Sequence, residues 1–162
     1  MRSDADHEPT LHLTCGLPGS GKTTLARQLA VERDAQRFTK DEWVVALGGD
    51  LYDRPFNARV EAQLIELAFE LLAAGRSCIL DFGLWSREER DALRLRARAQ
   101  GVRVELHVVD AELDELVRRA ADRYADAPHT TAEISAEQLA TWASCFEAPS
   151  DAERRLFDSS SP

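Results

Sequence analysis

Gly16-Leu17-Pro18-Gly19-Ser20-Gly21-Lys22-Thr23 fits the pattern G-x-x-x-x-G-K-[ST], a phosphate-binding loop of the Walker A type. It lies between the short apolar run Leu11 to Cys15 and the helix-like stretch Thr24 to Arg33, the strand–loop–helix setting that gives the pattern its physical meaning. Triphosphate oxygens demand several N–H donors converging at close range. Glycines let the backbone curl into such a nest, and the helix that follows presents its positive dipole end. Lys22 adds a mobile point charge for the β and γ phosphates, and the Thr23 hydroxyl is a natural ligand for Mg²⁺, a cation that prefers oxygen donors shared with phosphate. The nucleotide-binding stretch expected from the pattern is Gly16, Leu17, Pro18, Gly19, Ser20, Gly21, Lys22, Thr23 and Thr24. A plain Gly/Pro turn with one exposed lysine is the competing reading, and the flanking strand and helix weigh against it.

Working outward, Ala35 to Thr39 reads as a brief second strand that ends in Thr39-Lys40-Asp41-Glu42-Trp43. A carboxylate just beyond the C-terminal end of a strand in an open α/β sheet points into the crevice where ligands bind. Asp41 is therefore the candidate to accept a proton from an attacking hydroxyl; its other reading is a cap for a helix beginning at Glu42. The third strand, Ser77 to Asp81, is a continuous apolar run ending in an acid, the position from which phosphate-loop proteins hold Mg²⁺. Asp81 is followed by Phe82-Gly83-Leu84 and not by a second acid, which tilts the reading from hydrolysis toward transfer to another acceptor. Val102 to Val109 alternates apolar and polar residues and forms the fourth strand.

Between these strands the helical period recurs. Ala58 to Ala74 is strongly amphipathic and stopped by Gly75, whereas Leu51 to Asn57 reads as an irregular segment and a modest candidate for acceptor recognition. Ser86 to Gln100 carries arginines on several sides, the pattern of a solvated helix. In Glu112 to Tyr124, Arg119 and Arg123 share one face. Two readings stand for them: charge-stabilising arginines beside a lid near 124–134, or a surface ion-pair helix with Glu115 and Asp122. Ser135 to Phe146 is the last helix, and no fifth strand follows. The expected domain therefore covers residues 10–150, with a loose arm at 1–9 and a frayed polar tail at 151–162.

Composition narrows the class. The chain of 162 residues is 44% hydrophobic, enough for one domain with a sizeable core. Twenty basic against 29 acidic residues give a net charge of -9, so bulk nucleic-acid binding is disfavoured. Cys15, Cys78 and Cys145 are odd in number and lack metal spacing, which reads as reduced thiols in a cytoplasmic protein, and no run of apolar residues is long enough to span a membrane.

A loop at the start, an acid after each of the second and third strands, R-x-x-x-R at Arg119 and Arg123, and F-E-x-P at Phe146 to Pro149 together resemble the small P-loop kinases grouped with AAA-type ATP-binding proteins. These are similar to polynucleotide kinase, chloramphenicol phosphotransferase and zeta-type toxins. The resemblance implies an α/β, three-layer P-loop NTPase of the nucleoside-kinase-like kind, while the strand runs of this chain give a mostly parallel sheet of about four strands in the order 2-3-1-4. The resemblance also implies ATP and Mg²⁺ bound at Lys22 and Thr23, Asp41 as general base, and Arg119 and Arg123 as catalytic lid arginines. The expected activity is transfer of the γ-phosphoryl group to a hydroxyl of a small acceptor. A nucleotide-dependent switch whose output is partner binding, and a 5′-hydroxyl polynucleotide kinase, are the alternatives. Two departures stand out: Tyr124 follows the second arginine where relatives carry a small polar residue, and the C-terminal strand is missing.

Overall fold

The computed structural model describes residues 8–128 and 132–159. Chain order gives β1 (Thr10–Cys15), α1 (Lys22–Glu32), β2 (Gln36–Thr39), α2 (Lys40–Ala46), α3 (Arg54–Ala73), β3 (Cys78–Gly83), α4 (Arg87–Ala99), β4 (Arg103–Val108), α5 (Leu113–Asp126), α6 (Ala136–Cys145) and α7 (Asp151–Arg154). The four strands are all parallel and lie in the order β2-β3-β1-β4.

Because side chains alternate along a strand, β3 serves two cores at once while β1 serves one. Leu11, Leu13, Cys78 and Leu80 face α3 and α4, which contribute Val60, Leu64, Phe69, Leu72, Leu93 and Ala97. Ile79 points the other way, onto Ala26 and Leu29 of α1. Each fully buried leucine of these strands stabilises the fold by about 1.5–3 kcal/mol, so helices on both faces are what make a strand as apolar as β3 viable.

Several boundaries depart from the sequence reading. The irregular stretch after Gly49 ends at Asp53, whose carboxylate accepts from the Phe56 N–H at 3.0 Å, and α3 starts at Arg54 with Pro55 in its first turn. Pro has no N–H to lose there, so residues 54–57 are helix and not loop. The helix after β2 begins at Lys40, two residues before Glu42, with Asp41 in its first turn. The third strand continues past Asp81 to Gly83. α5 runs on through Tyr124 to Asp126, and residues 129–131 of the expected lid lie outside the described residues, as do 1–7 of the expected arm.

The tail is the largest correction. Residues 151–159 are not frayed: α7 is capped by Ser150, Phe157 is buried in the main core, and the Asp158 N–H donates to the Val104 carbonyl at 2.8 Å. The Asp158 carboxylate accepts from the Val104 N–H in return, also at 2.8 Å. Its partner correction concerns α4, whose arginines are not all solvated. Arg90 is 0% exposed and makes a two-pronged pair with Glu153 of α7, 3% exposed, at 2.6 and 3.1 Å. A residue this polar is buried only when its donors are met, and Glu153 together with the Leu84 carbonyl, 2.9 Å away, meets them.

Candidate nucleotide site

β1 ends at Cys15 and the chain turns through the glycine loop into α1, so the loop stands at the C-terminal edge of the sheet. Two glycines are dictated by space. A Cβ on Gly16 would lie 2.3 Å from the Val109 carbonyl oxygen, and one on Gly19, where φ is +83°, 2.8 Å from that of Leu116. The loop is thereby clamped between the end of β4 and α5. The Leu17 side chain anchors the loop, buried with Leu116, Ala120 and Leu139. Ser20 is also buried, and its hydroxyl has no protein partner, which is a costly state for a group that could bond to phosphate.

The loop opens onto a cavity of about 1230 Å³ lined by Pro18, Gly19, Gly21, Lys22, Thr23 and Thr24. Asp41, Asp81, Arg119 and Arg123 line the same cavity. Gly16, Leu17 and Ser20 stand behind it. The structure thus brings together residues from α1, α2, β3 and α5 that are up to about a hundred positions apart in sequence.

Lys22 donates to the Leu17 carbonyl at 2.8 Å, an intraloop bond that points the ammonium across the nest. Burial pulls its pKa down to about 8, opposed by Asp81 and reinforced by Arg123. A bound triphosphate would reverse that pull by placing negative charge beside the ammonium. Asp81 collects three hydroxyls: Thr14 at 3.0 Å on one carboxylate oxygen, and Thr23 at 2.8 Å and Thr39 at 3.0 Å on the other. This all-oxygen cluster at the foot of the loop has the hard-donor chemistry that suits Mg²⁺, and Thr23 and Asp81 are the residues that would hold it.

The arginines divide. Arg118 pairs with Glu115 at 2.7 Å and with Asp122 at 3.0 Å and does not line the cavity. Arg119 pairs with Glu115 at 2.5 Å while its other end lies 3.4 Å from the Ser20 carbonyl, so it rests on the loop itself. These hydrogen bonds from Arg118 and Arg119 hold the Glu115 carboxyl down to about 2. Arg123, one turn on, faces the cavity and lowers Lys22 through space. The ion-pair reading of this helix thus holds for Arg118 and Arg119, while Arg119 and Arg123 line the cavity.

Some lining residues were not singled out from sequence. Thr39 touches Asp81 and closes β2, next to the Lys40-Asp41 pair. Lys40 itself is held by Glu61 of α3 at 2.8 Å. Trp85 and Trp142, with ring centroids 5.6 Å apart, line the cavity and pack against the cluster that holds Leu17 of the loop. The Glu147 N–H donates to the Trp85 carbonyl at 3.0 Å and its carboxylate accepts from the Arg87 N–H at 3.2 Å, so the F-E-x-P segment seats the turn after Asp81. Tyr52 lines the cavity and its hydroxyl donates to the Glu133 carbonyl, tying the α2–α3 connection to the approach to α6. A tryptophan two residues past a strand-end Gly was the one available sequence signal for this wall.

A phosphate nest, a strand-end carboxylate and converging arginines on a parallel sheet of order β2-β3-β1-β4 define a kinase-like P-loop protein that binds a nucleotide. The chain belongs to the AAA_33 family, described as an AAA domain, which matches residues 11–149. It is 33% identical over 150 residues to an uncharacterized protein of Mycobacterium tuberculosis, covering 82% of this chain and 30% of that protein. The chain thus spans about a third of the length of that relative. Among solved structures it is similar to a chain in the Pnkp1/Rnl/Hen1 RNA repair complex, with TM-score 0.72, 21% identity and coverage of 98% of this chain and 49% of that one. A gluconokinase from Sinorhizobium meliloti 1021 follows the same fold, with TM-score 0.62, 19% identity and coverage of 91% and 81%. No helix among the described residues is long and apolar enough to cross a membrane.

Proposed function

We propose that this chain is a phosphotransferase that moves the γ-phosphoryl group of ATP to a hydroxyl of a small acceptor. The observation that carries the reading is the convergence of Lys22, Asp41, Asp81, Arg119 and Arg123 on one cavity large enough for a nucleotide and a second molecule. Phosphoryl transfer asks mainly for positioning and charge neutralisation, and these residues supply both. The loop N–H groups and Lys22 hold the phosphate tail. Thr23 and Asp81 are the residues that would hold Mg²⁺, whose charge would offset that of the phosphates. Asp41, in the first turn of α2 and exposed, accepts the proton of the acceptor hydroxyl as its oxygen attacks phosphorus. Arg119 and Arg123 balance the charge spreading over the migrating group. Tyr52, Arg54 and Trp85, which line the same cavity, would bound the space left for the acceptor.

A basic nucleic-acid channel is poorly supported. Lys40 is neutralised by Glu61, and the α4 arginines are committed: Arg87 and Arg94 to Asp91, Arg96 to Glu66, Arg90 to Glu153. This favours a small acceptor over an oligonucleotide. Phe82 in place of a second acid favours transfer over rapid hydrolysis.

The test is a phosphate-transfer and thermal-shift screen of hydroxylated metabolites and antibiotics with Mg-ATP, followed by Asp41→Asn. Transfer should fall by at least about 100-fold, the scale of a lost general base, while ATP affinity stays within a few-fold. Equal loss of both, or vigorous ATP turnover with no acceptor, overturns the proposal.

A further inference from the structure

Outside the nucleotide cavity, on the α1 side of the sheet, three side chains meet that none of the chemistry above uses. Register places His12 of β1 beside Glu105 of β4, and Thr14 beside His107, so the two histidines and the glutamate project from the same face of adjacent strands. Among the described residues these three form a cluster with metal-ligand chemistry, and all are largely shielded: the side chains are 2%, 5% and 13% exposed for His12, Glu105 and His107. None of them lines the nucleotide cavity.

The spacing is specific. His12 Nδ1 lies 3.1 Å from His107 Nε2 and 3.3 Å from Glu105 Oε2, and the last two atoms are 3.6 Å apart. Three donors on a tetrahedron with bonds of about 2.0–2.1 Å stand about 3.3–3.4 Å from one another. On an octahedron with similar bonds the edge is about 3.0 Å, shorter than every one of the three. Hydrogen bonding alone satisfies the triangle poorly. Each neutral ring can place at most one proton toward it, so in every tautomer at least one of the three edges sets like groups face to face, two lone pairs or two N–H groups. A single cation at the centre engages all three at once.

The other carboxylate oxygen of Glu105 lies 3.8 Å from the Arg103 guanidinium, and Arg33 at the end of α1 acts on both histidines through space. The oxygen that faces the histidines, Oε2, lies within 3.6 Å of both ring nitrogens. Two imidazoles and one carboxylate form a set that suits zinc, with water in the fourth position on the side of His107, the most open of the three.

We infer that His12, Glu105 and His107 form a zinc site that cross-links the outer strand β4 to the central strand β1, four residues before the phosphate loop begins. Its role is structural, and it stands or falls independently of the kinase reading.

The full chain, stripped with a chelator, is titrated with Zn²⁺ and separately with Co²⁺. One equivalent should bind, the melting temperature should rise with bound Zn²⁺, and Co²⁺ should give the intense visible absorption of tetrahedral coordination. His107→Asn and Glu105→Gln, at the more open positions, should each weaken binding at least about tenfold with far-ultraviolet circular dichroism unchanged. The inference is overturned if the wild-type chain binds no stoichiometric zinc, or if Co²⁺ gives only a weak octahedral spectrum. It is also overturned if both variants bind as the wild type does, since the metal then sits elsewhere, on exposed Cys145 or the Thr23–Asp81 oxygens.

Discussion

Two polar clusters lie on either side of the turn that follows β3, and they solve opposite problems. On one side Asp81 gathers the hydroxyls of Thr14, Thr23 and Thr39 at the rim of an open cavity, where every partner is short and can be exchanged for a ligand. On the other, Arg90 and Glu153 are sealed from solvent, and their partners are one another and the carbonyl of Leu84. Leu84 sits at φ +43°, a backbone state that a branched side chain keeps only when its surroundings insist. Its carbonyl takes both the Arg90 guanidinium at 2.9 Å and the Cys15 thiol at 3.4 Å. The closed cluster thus fixes the turn that delivers Asp81 and Trp85 to the open one. One cluster is built to react and the other to hold still.

That contrast can be broken from the closed side first. Glu153→Ala leaves a buried guanidinium without its counter-charge and should destabilise the fold by about 3–5 kcal/mol in urea denaturation. Cysteine labelling sharpens the result. Burial raises the Cys15 and Cys78 thiols to about 11, while Cys145 is exposed, so alkylation of the native protein should modify Cys145 alone. Glu153→Ala should make Cys15, 3.8 Å from Arg90, the next to react.

Gly19→Ala tests the scaffold of the open side. The added methyl meets the Leu116 carbonyl at a positive φ, for an expected loss of about 1–3 kcal/mol together with weaker ATP binding by calorimetry. Smallest is Asp41→Asn, which should alter stability by less than about 1 kcal/mol, the scale of a first-turn dipole contact. A large destabilisation there would move Asp41 from the open cluster's chemistry to the scaffold.

What could be read ahead of the structure was whatever is encoded locally. The phosphate loop is eight contiguous residues, the strands are short apolar runs with turn signals, and the parallel order followed from them. The arginine pair of α5 and the acids at 41 and 81 were visible because each sits at a fixed offset from an element end. Arg90 was not, since its helix neighbours Glu88, Glu89 and Asp91 give the signature of a wet surface, and its true partner lies 63 residues away. The same long-range pair explains the misreading of the tail, where Asp151, Glu153, Arg154 and Arg155 look solvated and Phe157 is a lone apolar signal. Trp85, Trp142 and Thr39 escaped notice for a related reason: a cavity wall is assembled from several elements, and no one of them announces it.

The exchange between Asp158 and Val104 bears on how this molecule behaves in company. β4 is an outer strand, and the unpaired amides of such a strand are a template on which a second chain can grow as an added strand. One aspartate occupies both hydrogen-bonding groups of Val104, and the Arg103 guanidinium reaches the Ser159 carbonyl at 3.0 Å alongside it. The segment after α7 thus covers that template at Val104.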